Sequence, residues 1–421
     1  MKYILALLFS SLAAAPARAD LSVVHTADAD LNVGARMQLL GFGQSVNDPV
    51  DDHARVYLFM KEARLRTNGR YHGASFNVEL ALGGEESIVA TTGVSLGLLD
   101  LSANIPLPFD GSYLKVGQFK VPYGRERLTY SGNAQFIDRS VQDLGFRVGR
   151  DVGAALTLHP GLLTLIGGVF TGGGRDVPPN HYLPEKLGIP ELVVRAGFGN
   201  VDDDAYALKN DLAPAETKAA FFVNALYTKD SIVGHSTVLN VKLADKPLLL
   251  NGNWNQYIGQ HPLDAGTFWQ LGADAALRTP LGAATLSAEA EVNWAGYSNK
   301  YGVAHNAGGR IQAGVGFSPV EIALRYAVLF PEKNFAAGAM PITGGDPIHE
   351  ITPSIAYFFD DQRLKLVADV PMLLGTPVVT EPKVGQYVAT ELPDQTAVLT
   401  KGGSIARQNV IEARLMLQAA F

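Results

Sequence analysis

Residues 409–421 read NVIEARLMLQAAF. Counted back in twos from Phe421, one set is Ala419, Leu417, Leu415, Ala413 and Ile411, all apolar. The alternate set is Ala420, Gln418, Met416, Arg414, Glu412 and Val410, and it carries the charges. Side chains along a strand point alternately to opposite faces, so one face suits lipid and the other suits water. A half-buried strand closing a soluble sheet alternates in the same way. The rest of the chain decides between the two.

The two-residue period recurs almost everywhere. Leu31, Val33, Ala35, Met37 and Leu39 oppose Arg36 and Gln38; Ala63 and Leu65 oppose Glu62, Arg64 and Arg66; Ala74, Phe76, Val78, Leu80 and Leu82 oppose Asn77 and Glu79. Residues 285–294, 320–330 and 363–370 repeat it. This is a strand period, not a helical one. Runs of about ten residues match strands that cross a bilayer at a tilt. Short turns at Gly69–His72, Leu107–Gly111, His159–Gly161, Thr279–Gly282, Ser318–Pro319 and Asp360–Asp361 alternate with long loops at 42–54, 83–93, 122–149, 171–190, 297–308, 331–349 and 372–407. Outer-membrane barrels have short periplasmic turns and long outside loops. The expected fold is therefore all-β, a transmembrane antiparallel β-barrel. The runs number about eighteen, or about sixteen if the hairpin of residues 191–229, with its Asp202–Asp204 linker, stays out of the wall. Tyr257, Phe268, Trp269, Trp294, Tyr297 and Phe330 fall near long loops, and Tyr357, Phe358, Phe359 and Phe421 near short turns, which predicts two aromatic girdles. The last strand with its terminal Phe421 resembles the final strand of bacterial outer-membrane barrels. That resemblance implies recognition by the outer-membrane assembly machinery.

The start of the chain fits export. Lys2, the apolar run Tyr3–Ala15 and Ala17-Arg18-Ala19 before Asp20 read as a signal peptide over residues 1–19, leaving residues 20–421 as one barrel domain. No later stretch is apolar for long enough to form a membrane helix. The expected location is the outer membrane of a Gram-negative bacterium, with the lipid bilayer and lipopolysaccharide as surroundings. There are no cysteines, so disulfides, thiolate metal sites and cysteine nucleophiles are excluded. The formal charge of −7 grows more negative when Lys2 and Arg18 leave with the leader, which argues against a nucleic-acid partner.

No chemistry is legible. Gly93-Val94-Ser95-Leu96-Gly97 fits the G-x-S-x-G pattern, but a nucleophile elbow needs a helix to follow, and here a strand follows. The nine histidines are scattered, with no pair at metal-ligand spacing. Gly172-Gly173-Gly174 precedes Arg175-Asp176 and two prolines, a loop composition. The reading is a channel and not an enzyme, with no cofactor.

The segment 115–153, KVGQFKVPYGRERLTYSGNAQFIDRSVQDLGFRVGRDVG, stands apart. It is locally positive in an acidic chain, with Lys115, Lys120, Arg125, Arg127, Arg139, Arg147 and Arg150. Its loop, 122–149, is the third outside loop by parity. Phe136, Ile137, Leu144, Phe146 and Val148 are apolar residues that a solvated tip would leave in water. The expectation is that this loop folds inward and constricts the lumen. Arg125 and Arg127 are expected to line the passage. Arg139 and Arg150 can line it too, or can pair with Asp138, Asp151 or wall carboxylates and pin the loop. Arg64, Arg66 and Arg414 alternate with apolar neighbours and should face the lumen.

Gly117, Gln118, Phe119, Lys120 and Pro122, then Phe136, Arg139 and Ser140, then Arg150, Asp151 and Gly153 resemble the phosphate-selective porin family, the OprP/OprO-like outer-membrane porins. The match is most specific over residues 55–170 and continues loosely to the C-terminal strand. It implies a homotrimeric channel for small hydrophilic solutes, with a preference for anions such as phosphate. Its matched positions imply Lys120, Arg139 and Arg150 as anion-interacting residues at the constriction, where the basic composition of the segment also places Arg125, Arg127 and Arg147. The acidic residues between these cations depart from the expected pattern and bear on phosphate specificity. The alternative is a barrel that sheathes a redox or export partner, which would need a lumen free of an inward loop.

Overall fold

The computed structural model describes residues 21–46, 53–84, 88–90, 93–109, 111–146, 148–172, 189–199, 216–229, 267–299, 302–330, 347–380, 385–386 and 404–421. The leader, Tyr257, the Asp202–Asp204 linker, Arg147 and the side chain of Leu144 lie outside the described residues.

Sixteen antiparallel strands close into a barrel. In chain order they are β1 (Ala29–Val46), β2 (His53–Tyr71), β3 (Ala74–Gly84), β4 (Gly97–Pro106), β5 (Tyr113–Lys120), β6 (Arg150–Leu158), β7 (Leu163–Phe170) and β8 (Ile189–Gly199). They continue as β9 (Lys218–Lys229), β10 (Thr267–Leu281), β11 (Ala284–Asn299), β12 (Gly302–Phe317), β13 (Val320–Phe330) and β14 (Ile348–Asp360). The last two are β15, in two pieces (Leu364–Asp369 and Met372–Thr380), and β16 (Ser404–Ala420). Each strand pairs with the next, and β16 returns to β1 from Arg36↔Ala420 to Val46↔Val410. Closure removes the open sheet edges that lipid could not satisfy.

The alternation decides the facing. Along β13, Ile322, Leu324 and Tyr326 are exposed while Glu321, Ala323 and Arg325 are buried. Along β16, Ile411 and Leu415 are exposed while Val410, Glu412, Arg414, Met416 and Gln418 are buried. The apolar set faces outward to lipid and the charged set inward. At the β2–β3 turn His72 and Gly73 both have positive φ (47° and 84°), the pairing a two-residue hairpin turn of this hand requires. β15 breaks at Pro371, which has no N–H for the ladder. Beyond Phe421, whose backbone exchanges two hydrogen bonds with Ala35, the edge of β1 pairs with a short strand, Leu21–His25.

Three expectations need correcting. The 191–229 hairpin is part of the wall as β8 and β9, paired from Ile189↔Lys229 to Gly199↔Ala220, yet the total is still sixteen. Residues 297–308 are mostly strand, because β11 and β12 stay paired out to Asn299↔Gly302. The polar, glycine-containing stretch there imitates a long loop. Finally, two strand-end aromatics face inward: Phe268 and Phe358 pack on buried clusters inside the barrel. The outward ones do form tiers. Trp269 and Trp294 meet edge to face at 4.7 Å near the outer loops, as Tyr357 and Phe359 do near the turns.

Candidate functional site: the loop across the lumen

The loop of residues 121–149 touches β1, β2 and β3 on one side and β10 to β16 on the other. A segment that reaches such different parts of a closed ring lies inside it. The chain turns inward after Lys120 through Gly124, whose φ is 71° and whose missing Cβ would sit 2.8 Å from Glu291 Oε1. It then forms α1 (Arg125–Leu128), a 3₁₀ turn at Ser131–Asn133, an extended stretch and α2 (Val141–Phe146) before rejoining the wall at Arg150.

Apolar contacts hold the loop at three places. Val121, Tyr123 and Val148 pack with Phe119, Ala155, Ile166, Phe170, Val193 and Leu226. Val141 and Phe146 pack with Ala295, Ala327, Leu329 and Ile348. Ile137 packs with Leu40, Ala356, Phe358, Val367 and Met416. Phe136 lies beneath the Arg325 guanidinium, 4.5 Å away. Burying each large side chain is worth about 1.5–3 kcal/mol, which offsets part of the cost of ordering the loop.

Polar latches fix its register. The Glu126 carboxylate accepts from Ser140 N–H (2.8 Å) and Ser140 Oγ (2.6 Å) and pairs with Arg310 (3.2 Å) and Arg325 (3.5 Å). Burial pushes the Glu126 carboxyl up, but Arg310 and Arg325 outweigh it and hold the group below the usual range. Gln135 donates to Ser287 and Glu321, both at 2.7 Å. The N–H groups of Ile137 and Val141 donate to Asp369 (3.0 Å) and Glu350 (2.6 Å). Asp138 pairs with Lys61 and with Arg414, the latter at 2.7 Å.

The predicted cations divide into two groups. Arg125 does not meet the passage: it is fully buried, with Nε 3.0 Å from Asp274 Oδ1, and Asp274 is shared with Arg195. Arg127 is buried within the loop. Arg150 pairs with Asp100 (2.9 Å) and Glu79 (3.3 Å). Arg64 and Arg414 face inward but are ion-paired, Arg64 with Glu62 and Glu79, Arg414 with Asp369, Asp138 and Glu412. Lys120 and Arg139 differ. Both are half-buried, and both donate to the carbonyl oxygen of Thr129, at 3.2 and 3.5 Å. Their other acceptors are carbonyls as well, Leu128 O for Lys120 and Glu126 O for Arg139. Half-buried Arg66 donates to Asn77 (3.0 Å) and lies 5.8 Å from the centre of the Tyr130 ring. Among the described residues none of these three has a carboxylate at ion-pair distance. These three cations lie between the loop and β2–β5.

Sequence reasoning missed Glu126 as a fastener, and it offered Asp138 to Arg139 or Arg150 where the structure pairs it with Lys61 and Arg414. It also missed Lys61 and Arg310 on the wall. Arg310 was hidden because its strand reads as a loop up to residue 308; a charge two residues before another polar inward residue, Gln312, was the available signal.

The family model described as phosphate-selective porin O and P matches residues 32–255 of this chain, a stretch that contains the inward loop. The fold is similar to that of the outer-membrane channel DcaP of Acinetobacter baumannii, at 14% identity, covering 94% of this chain and 99% of that one, with a TM-score of 0.52. It is similar also to an anion-selective porin from Comamonas acidovorans, at 12% identity, 94% and 100% coverage and a TM-score of 0.53. The trimer form of OmpT from Vibrio cholerae matches at 10% identity, 93% and 99% coverage and a TM-score of 0.50. At such identities the likeness is one of fold. No curated protein is recognisably similar in sequence.

Proposed function

This chain belongs to the phosphate-selective porin O and P family, and on that premise we propose that it is an anion-preferring outer-membrane porin whose selectivity is set by Lys120, Arg139 and Arg66. It is a β-barrel channel of the outer membrane, and solutes cross it by passive diffusion. The observation that carries the anion reading is the shared Thr129 carbonyl: two half-buried cations converge on one neutral acceptor, with no carboxylate at ion-pair distance among the described residues. Positive side chains lining a pore lower the barrier for anions. The guanidinium of Arg139 can grip phosphate or carboxylate with two parallel hydrogen bonds, while Lys120 acts as a point charge. Small oxyanions such as phosphate fit this pair. The channel works without chemistry of its own and as a homotrimer, after removal of residues 1–19 and insertion through the strand that ends at Phe421. A sheath for a protein partner is disfavoured, because the loop occupies the space such a partner would need.

The test is planar-bilayer recording in asymmetric KCl. Wild type should show a reversal potential on the anion side, and Lys120→Gln with Arg139→Gln should move it toward zero while conductance stays measurable. A reversal potential that does not move would remove these residues from the passage. Added phosphate should reduce chloride current in wild type and lose that effect in the double variant.

A further inference from the structure

Asp138 and Arg139 are neighbours on the loop with different partners. Arg139 reaches the Thr129 carbonyl beside Lys120. Asp138 reaches the barrel wall, where its two carboxylate oxygens are divided between Lys61 of β2 and Arg414 of β16. Its carboxylate is the accessible member of this group: the side chain is 21% exposed, against 6% for Lys61 and 5% for Arg414. The backbone around it is fixed independently, by Arg325 on its own carbonyl (2.9 Å) and by the Ile137 N–H on Asp369 (3.0 Å). The Asp138 side chain is thus one of several ties there, and the backbone keeps the other two when that side chain is altered. What the side chain supplies is a negative charge at the water-facing edge of two cations.

We propose that Asp138 is a specificity-determining residue of the channel, a charge mask that hides Lys61 and Arg414 from passing ions. The mask confines anion attraction to the Lys120–Arg139–Arg66 side. Without it the β2–β16 wall would gain one unit of positive charge, and the lumen would draw anions along two sides instead of one. The net preference of the channel is then set by subtraction: cations are present on both sides of the loop, and on the far side Asp138 adds the water-facing negative charge to those that Asp369 and Glu412 already bring to Arg414. The inference rests on the anion-channel reading for its biological sense, but its own observable is a shift relative to wild type.

The experiment measures reversal potentials in asymmetric KCl for four variants whose folding is first verified by heat-modifiable migration on gels. Asp138→Asn should raise the chloride-over-potassium permeability ratio about twofold or more, and the shift should shrink in 1 M salt, where the screening length falls to about 3 Å. Asp138→Glu should match wild type. Lys61→Gln, which keeps the Asp138–Arg414 pair, should shift the ratio the opposite way. Lys61→Gln with Asp138→Asn should return it to the wild-type value. If Asp138→Asn leaves the potential unmoved, permeating ions do not sense this charge and the proposal fails. If instead its conductance rises severalfold and the double variant does not restore the ratio, Asp138 is a mechanical fastener and the proposal fails equally. A wild type that prefers cations would overturn the anion reading alone, since a shift of Asp138→Asn toward anions would still stand.

Discussion

Arg125 Nε lies 3.0 Å from Asp274 Oδ1, and both side chains are fully withdrawn from solvent. The same carboxylate takes Arg195 at 2.6 Å. This triad ties α1 of the loop to β10 and β8. It spends the charge of a residue that the sequence marks as a pore arginine. Position within the basic segment is therefore a poor guide to which arginine a solute meets; the presence of a carboxylate opposite is the better one.

Arg125→Gln should leave the reversal potential where it is. It should instead weaken the fold, because it strips one cation from a buried cluster; breaking such a pair costs about 3–5 kcal/mol. The temperature at which the folded band disappears on semi-native gels reads this directly. A selectivity change without a stability change would place Arg125 in the passage after all.

On the last strand, Leu415 is half exposed on the lipid face and Arg414 is buried inside. Leu415→Arg should cost about 2–4 kcal/mol if its position is near the bilayer midplane. The alternation alone makes Arg414→Leu look harmless by comparison. The structure says otherwise, since Arg414 donates to Asp369 at 2.7 and 2.9 Å and to Asp138 at 2.7 Å. Its loss should cost about 3–5 kcal/mol, and Arg414→Lys should recover part of it. Refolding yields into lipid vesicles distinguish the three.

Gly308 on β12 provides the floor for the loop. A Cβ there would come within 2.7 Å of Phe146 Cε2. Gly308→Val should therefore lift α2 from the wall, at an overpacking cost of about 1–3 kcal/mol. Single-channel conductance should change, with larger open-state noise. An unchanged conductance trace would mean that α2 does not border the passage.

Glu126 predicts a response to acid. Its carboxyl is held below the ordinary value of 4.5, so its pairing with Arg310 and Arg325 is intact at neutral pH. For a depressed carboxyl, the stabilisation is present above the ordinary value and is lost as pH falls through the lowered one. The loop should thus stay latched down to pH 4.5 and loosen only below it, seen as a rise in conductance. Glu126→Gln should show the loosened conductance already at pH 7. The Glu126 N–H donates to Glu291 at 2.9 Å, and Glu291 faces the same arginine.

The wall was legible because its signal is geometric. A residue such as Leu415 or Ile322 has no other reason to alternate with Glu412 or Arg325, and the facing follows from the period alone. The inward loop was legible from Phe136, Ile137 and Phe146, which cannot stay in water. Partnerships inside the lumen were not. Arg125 and Arg139 are alike in sequence, fourteen residues apart on one loop, and only the fold reveals that Asp274 meets the first while the second finds carbonyls. Such pairings join residues far apart in the chain, and the two-residue period carries no information about which inward charge sits opposite which.

The loop also bridges the junction where the barrel closes. Arg36 of β1 donates to Ser131 at 2.9 Å, and Gln418 of β16 donates to the carbonyl of Gly132 at 3.0 Å. The first strand and the last strand of the wall thus grip consecutive residues of the same loop. Ring closure and loop docking therefore share contacts, and a barrel sealed without its loop in place forfeits hydrogen bonds from both ends of the polypeptide.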